Sequence, residues 1–248
     1  QRMVSPVVLT NEKHAKLRVI ESGDYSQHKE EHLVRITVQD FFVLSAEFPL
    51  VFVKGNGQDK FVPVAIMGLK EGQNLYCQTD EWKAQVVPAN FNNYPFRMLK
   101  VEEKSDQLVL VIDEDSSRLS ETEGEPLFKE DGEKTEYLEK KIESLLKNAQ
   151  LTAQTEEICK IFADKGLLTT QQLQLQYRQD SRRYNIDGVY TINEEKLTAL
   201  SDEDFLDLRN RGLIPLVYAH LCSLQQLRRI SEMQYNADAE FAAATTFS

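Results

Sequence analysis

The sequence predicts an α+β protein, with an antiparallel β-sheet in the N-terminal half packed with C-terminal helices and an inserted β-hairpin. Three observations carry that reading. Short β-branched and aromatic runs, separated by turn residues, recur through residues 17–115. From Tyr137 onward apolar residues recur at three- and four-residue spacing, the mark of an amphipathic helix. Residues 173–193 then return to strand character before helical spacing resumes.

In chain order, LRVIES (17–22) and LVRITV (33–38) alternate as strands do. VQDFFVLSAEF (38–48) predicts a helical turn between strands. FPLVFVKGNGQDKFVPVAIMGL (48–69) predicts a hairpin, because two β-branched and aromatic runs flank Gly55-Asn56-Gly57, where positive φ is cheap. QNLYCQT (73–79) follows a second turn and predicts another strand. PFRMLKVEEKSDQLVLVIDED (95–115) predicts a second hairpin that turns near Ser105-Asp106.

The next stretch is acidic and punctuated by Gly124, Pro126 and Gly132. Tyr137, Leu138, Ile142, Leu145 and Leu146, then Leu151, Ile158, Ile161 and Phe162, predict one long helix or two in succession, stopping at Lys165-Gly166. A third hairpin is expected over 173–193, with QDSRR as its turn. Two short helices follow, the second starting at Ser201 with Asp204 in a box-like relation. A last helix is expected over 213–234, and the small, polar tail 236–248 is expected to fray. These elements suggest a strand-rich part (14–115) and a mainly helical part (116–235) that share a core.

The chain has 29 Lys and Arg against 40 Asp and Glu, a formal net charge of -11. A nucleic-acid partner needs a basic face that displaces counterions, so none is expected. Hydrophobic residues, at 41%, are enough for a core, and the 28% of charged residues mix both signs, which argues against wholesale disorder. Cys77, Cys159 and Cys222 are far apart, odd in number and free of C-x-x-C spacing. That argues against a disulfide framework or zinc ribbon, suits a reducing compartment, and reads as three small buried hydrophobes. No uninterrupted apolar window of ~18 residues occurs, so no integral membrane segment is expected. The N-terminal residues do not read as a signal peptide, and the expected compartment is the cytoplasm.

Catalytic patterns are incomplete. His28 and His32 are four apart in HKEEH, but Lys29 stands where a zincin needs its glutamate. His28 and Glu30 have a spacing related to the facial triad, in a charged segment. His220 sits in an apolar run and reads as a core or interface histidine. There is no G-x-S-x-G, G-x-G-x-x-G or phosphate loop, so no cofactor is expected. DED (113–115) and EDG (130–132) lack the spacing of a calcium loop and read as solvated turns. No catalytic residue and no metal ligand is assigned.

One stretch is too proline-broken for a helix and too aromatic for an idle linker: EWKAQVVPANFNNYPFRML, residues 81–99. Trp82, Phe91, Asn92, Asn93 and Tyr94 are the candidate ligand-binding residues, because aromatic and amide side chains favour recognition surfaces. The same rings also suit a packing plug between sheet and helices.

Several stretches, taken in order, resemble the SapC family. They are HAKLRV (14–19), AEFPLVFVKGNG (46–57), VPVAIMGLKEGQNLY (62–76), the 81–99 segment, PLFKEDGE (126–133) and GLIPLVYAHLCSLQQLRRI (212–230). The chain departs from the pattern at Asn92 and Asn93, where basic residues are expected before Tyr-Pro-Phe. The family takes its name from a bacterial gene group for a surface layer and its export. The resemblance also implies a neighbourhood of TonB-dependent receptors and halogenase-like flavoproteins, and it carries no catalytic residue onto this chain.

Three functions follow as expectations. The first is a non-enzymatic accessory or binding protein with a protein or peptide partner, its groove formed by the strand-rich half and the aromatic loop. The second is a surface-layer biogenesis or export component. The third is a metal-dependent enzyme acting on peptides or amino acids through His14, His28, Glu30 and His32. The oligomeric state is left open.

Overall fold

The computed structural model describes residues 6–56, 60–101, 107–176 and 183–246. The turns expected at Gly57, at Ser105-Asp106 and over 179–182 lie outside the described residues. The strands are β1 (Pro6–Val8), β2 (Arg18–Val19), β3 (Leu33–Arg35), β4 (Leu50–Lys54), β5 (Phe61–Ile66), β6 (Phe96–Lys100), β7 (Leu108–Asp113), β8 (Leu119–Ser120), β9 (Glu125–Pro126), β10 (Leu168–Gln176) and β11 (Arg183–Ile192). The helices are α1 (Asn11–His14), α2 (Phe41–Leu44), α3 (Glu136–Asp164), α4 (Glu194–Thr198), α5 (Asp202–Asn210), α6 (Ile214–Ser223) and α7 (Leu227–Thr246). Antiparallel sheets with mainly C-terminal helices make this an α+β fold, as the patterning predicts.

The contacts divide the chain into two compact units that are interleaved in sequence. Unit 1 is Gln1–Gly23 with Ala89–Leu151, and unit 2 is Asp24–Pro88 with Thr152–Ser248. A cut near residue 115 into consecutive parts therefore differs from the contacts. The reason is long-range pairing: β1 pairs with β7 through Pro6↔Asp113, which draws the N-terminal segment to residues 89–151.

In unit 1 the strand order is β1-β7-β6, all antiparallel, and a small ladder β8-β2-β9 runs through Arg18 and Val19. Val19, Phe96, Ile112, Leu127, Leu138 and Leu145 form its buried core. Leu138, Ile142 and Leu145 recur at the spacing of one helix face, so the first half of α3 buries an apolar stripe against the strands. Thr135 starts that helix by accepting the Leu138 N–H on its Oγ1 at 3.3 Å. Gly124 has a φ of 92°, and a Cβ there would lie 2.4 Å from the Val19 carbonyl oxygen. Gly124→Ala is expected to destabilise unit 1 by about 1–3 kcal/mol. A thermal melt that matches the parent protein would contradict this.

Unit 2 holds a five-stranded antiparallel sheet in the order β10-β11-β4-β5-β3. Leu50, Val51 and Phe52 are consecutive and all buried, so β4 is covered on both faces. Phe52 meets the rings of Phe41, Phe162 and His220 at centroid distances of 6.4, 6.2 and 5.1 Å. Helix α3 ends where Gly166 takes φ 67°. There Gly166 N–H bonds the Ala163 carbonyl and Leu167 N–H bonds that of Phe162. These two bonds make a Schellman close, which explains the single long helix and its abrupt stop.

The pairing of β11 with β4 runs through Val189↔Val53 and Tyr190↔Phe52. Continued, that register would set Ile192 opposite Leu50, but His220 from α6 stands in the gap. Ile192 N–H donates to its Nε2 at 3.0 Å, and its Nδ1–H donates to the Leu50 carbonyl at 2.8 Å. Ser223 Oγ takes the Leu50 N–H at 2.9 Å. The histidine is a structural staple, as its apolar setting suggests.

Several local expectations change. Residues 73–79 form no strand; Leu75, Tyr76 and Cys77 are buried in a loop held by Asn74, whose Oδ1 accepts the Tyr76 N–H. Burial satisfied the alternation there without a partner strand. The last helix breaks at Leu224–Gln226, a 3-10 turn, and α7 then runs to Thr246 rather than fraying from 236. Alanine-rich sequence favours that helix, and Asp238 is tied down by Lys70 at 2.6 Å and the Tyr184 hydroxyl at 2.8 Å.

Candidate functional site

The boundary between the units falls between Pro88 and Ala89, inside the aromatic stretch. Trp82 belongs to unit 2. Its ring lies 5.4 Å from Tyr25, 5.9 Å from Tyr76 and 6.3 Å from Phe48, and its indole N–H donates to the Val86 carbonyl at 3.0 Å. The loop is pinned further by Glu47, whose two carboxylate oxygens accept the Gln85 N–H at 3.1 and 3.0 Å. Arg229 approaches the same carboxylate at 3.8 Å. Burial pushes the Tyr76 phenol up to about 12, so it stays neutral within this cluster.

Phe91, Asn92, Asn93 and Tyr94 belong to unit 1. A 3-10 turn over Ala89–Asn93 buries Phe91 completely and Asn93 almost so, leaving Asn92 exposed and Tyr94 half-buried. Around them runs a connected set of polar groups. Lys141 Nζ donates to the Asn92 carbonyl at 3.1 Å, and the Ser144 hydroxyl donates to Asn93 Oδ1 at 3.2 Å. Lys141 also pairs with Glu21 at 2.8 Å, and the Tyr137 hydroxyl donates to the same Glu21 oxygen at 2.6 Å. Arg118, buried, reaches the Tyr94 carbonyl at 3.4 Å and lies 5.5 Å from the Tyr94 ring centre.

Helix geometry explains how α3 serves this set. Tyr137, Lys141 and Ser144 are spaced by four and three residues, so they share one face beside the stripe that enters the core. The electrostatics follow. Desolvation pushes the Glu21 carboxyl up, but hydrogen bonds from Lys141 and Tyr137 outweigh it and hold the group below its ordinary range. Burial, with Glu21 as acceptor, drives the Tyr137 phenol upward. The Tyr94 phenol is raised by burial, against a lowering bond with Ser116. These bonds fasten the 89–94 turn to α3. Two cations, Lys141 and Arg118, thus lie against the backbone of Asn92 and Tyr94.

Unit 1 also carries a groove of about 660 Å³. Its floor is apolar: Leu9, Met98, Leu108, Leu110, Phe128 and Ile142, all half-buried, with Leu138 beneath. Asn11, Glu133, Lys134 and Glu139 stand at its rim. The sequence reading missed this site. The available signal was period-2 spacing: Phe96 and Met98 with Leu108, Leu110 and Ile112 share one face of the β6–β7 pair, whose Phe96–Ile112 end is buried in the core while Met98, Leu108 and Leu110 stay half-buried.

Unit 2 has a cavity of about 860 Å³ beside α7, with Lys70, Gln73, Gln78, Lys83, Asp238 and Glu240 in its wall along with Leu75, Met233 and Phe241. Its central groups are engaged with one another. Buried Gln234 donates to Gln73 at 2.8 Å and to Asp238 at 3.1 Å, and accepts the Leu69 N–H at 3.1 Å. Desolvation raises the Asp238 carboxyl, and the bonds from Lys70, Tyr184 and Gln234 bring it below its ordinary range.

The histidines singled out as possible ligands each have a local partner. In unit 1, His14 Nε2 lies 3.0 Å from Glu114. In unit 2, His28 Nδ1 lies 3.1 Å from Glu31, and His32 Nδ1 accepts the Gly72 N–H at 3.4 Å. Glu30 is exposed. Among the described residues no three His, Cys, Asp or Glu side chains gather in a group that could hold a metal ion. Among the same residues no helix is long and apolar enough to cross a membrane.

Neither curated proteins nor solved structures provide a match to this chain. The family comparison does: the model of the SapC family matches residues 9–230, nearly the whole of the 248-residue sequence, and the chain belongs to the SapC family.

Proposed function

We propose that this SapC-family chain is a non-catalytic binding protein whose unit 1 groove takes an apolar segment of a partner peptide. The groove carries this reading. Its volume of about 660 Å³ lies within the usual range of ligand sites, and it combines an apolar floor with a polar rim, the two kinds of group by which such sites hold and orient a ligand. Such a lining favours burial of apolar side chains, and the rim groups would orient the peptide backbone. The turn that carries Asn92, Asn93 and Tyr94 supports the same unit, fixing the start of β6 and with it Met98. A setting in a TonB-receptor or halogenase-associated uptake or modification system is the context the family resemblance suggests for the partner.

The test uses Nile red as an apolar probe. Leu108→Glu, at a half-buried position of the floor, is expected to weaken dye binding at least about tenfold, the effect of losing ~1.4 kcal/mol of apolar contact. Circular dichroism should show the fold retained. Dye binding equal to the parent protein's would sink the groove as the site. Photo-crosslinking from position 108 in a cell extract, followed by mass spectrometry, then identifies the partner.

A further inference from the structure

We propose that β10 is a self-association edge, through which two copies of this chain pair antiparallel and join two five-stranded sheets into one continuous sheet. The inference concerns unit 2 only and stands apart from the groove of unit 1.

Strand β10 is the outermost in its sheet, bonded on one side to β11. Its sequence, LTTQQLQLQ, is nine residues long. An outer strand presents unpaired N–H and C=O groups, and proteins usually blunt such an edge with charge, proline, shortness or a bulge. The opposite edge of the same sheet obeys that rule: β3 has three residues and ends in exposed Arg35. In β10 charge, proline and shortness are all absent, and α7 packs against part of the strand. It contains no proline and none of the 29 basic or 40 acidic residues of the chain.

The one irregularity in the hairpin spares this edge. The register passes from Gln171↔Val189 to Leu173↔Ile186, so the extra residue lies in β11, and β10 keeps a regular path. Thr170, Gln171 and Gln172 are exposed. Among the described residues, no backbone hydrogen bond joins β10 to any segment other than β11.

The occupant follows from charge and symmetry. Two copies that each carry a net charge of -11 repel one another, and β10 offers them a strand with no charge of its own, the Asp187 carboxylate that accepts from Gln172 at 3.3 Å lying one strand inward on β11. A twofold pairing is self-complementary, as closed dimers require. Centred on Gln172, it sets Thr169 opposite Leu175 and Gln171 opposite Leu173. The two Leu173 side chains then fall diagonally across the axis, within reach of one another. Strand pairing alone makes an interface smaller than the ~1,200 Å² of a stable complex, so the dimer should be concentration-dependent, with a dissociation constant of order micromolar.

Sedimentation velocity of the full chain across the micromolar range tests this. The mass should rise from 28.6 kDa toward twice that value. Thr170→Lys with Gln172→Lys should hold the protein at the monomer mass, even though added lysine reduces the overall repulsion. Ala199→Lys, an exposed change just past the end of α4, should leave the dimer intact. Amide exchange supplies a readout that needs no variant: protection across 168–176 should be greater at high than at low concentration. A parent protein that stays monomeric at every concentration overturns the proposal, and a co-purified peptide that protects those amides would then assign the edge to a peptide. A folded double-lysine variant that still dimerises overturns it too, as does protection independent of concentration.

Discussion

Replacing His220 by leucine should destabilise unit 2 by about 3–5 kcal/mol, the sum of leaving two buried main-chain groups unpaired. Leucine nearly fills the space, so the loss is chiefly of hydrogen bonds. The Ile192 N–H loses its acceptor and the Leu50 carbonyl its donor, both in a region where His220 is fully buried. His220→Gln, which keeps a donor and an acceptor on a side chain of similar reach, should recover part of the loss. Chemical denaturation followed through the amides of β4 and β11 measures both. A loss below about 1 kcal/mol for the leucine variant would show that the ring does not replace the missing ladder bonds.

The same residue sets a pH dependence with a definite sign. Burial pushes the His220 imidazole down from its ordinary 6.5 to about 4, against an upward pull from its bond to the Leu50 carbonyl. The native state therefore keeps the ring neutral in a range where the unfolded chain protonates it. The contribution is fully present above pH 6.5, falls as the pH drops from 6.5 toward about 4, and changes no further below that. At 1.36 kcal/mol per pKa unit the window amounts to roughly 3 kcal/mol. His220→Leu should remove this slope, and a parent stability that stays flat across the window would refute the assignment.

The second large effect is expected in unit 1. Leu138→Ala truncates a fully buried side chain at the centre of the core that includes Val19, Phe96, Ile112 and Leu127. The cost should be about 2–5 kcal/mol, set by how far the strands close on the space left behind. Hydrogen exchange at the β6 and β7 amides reads it directly. Exchange unchanged from the parent would mean that α3 does not brace this sheet.

Both residues show how much of the protein is legible before folding. Leu138 announces its role through the three- and four-residue spacing that also marks Ile142 and Leu145. His220 announces only that it sits among apolar neighbours. That it substitutes for a rung between β4 and β11 depends on Leu50 and Ile192, residues 170 and 28 positions away. The candidate residues divide in the same manner. Trp82 and Phe91 have the aromatic character of a recognition loop, yet Phe91 is fully buried and Trp82 packs among Tyr25, Phe48 and Tyr76. Aromatic composition reports a large apolar surface, and only its surroundings show whether that surface faces a ligand or the interior.

Turns, caps and periodicity are local, so the β4–β5 and β6–β7 pairs, the long α3 and its glycine stop, and the cap at Ser201 could all be read from short windows. Side-chain oxygens near their own backbone, and apolar spacing matched to helix or strand, specify them without distant help. Three features were settled by distant parts of the chain. The loop 73–79 gave up strand pairing once Leu75, Tyr76 and Cys77 found burial. The pairing of β1 with β7 made the two units interleave. The groove floor drew Leu9, Met98 and Phe128 together from three separate segments. Contacts between residues far apart in sequence form against the entropy of closing long loops, and which of them form depends on the whole set of competing burials. Local chemistry therefore wrote the elements of this SapC-family chain, while global packing chose their neighbours and, through them, the surfaces left open to solvent.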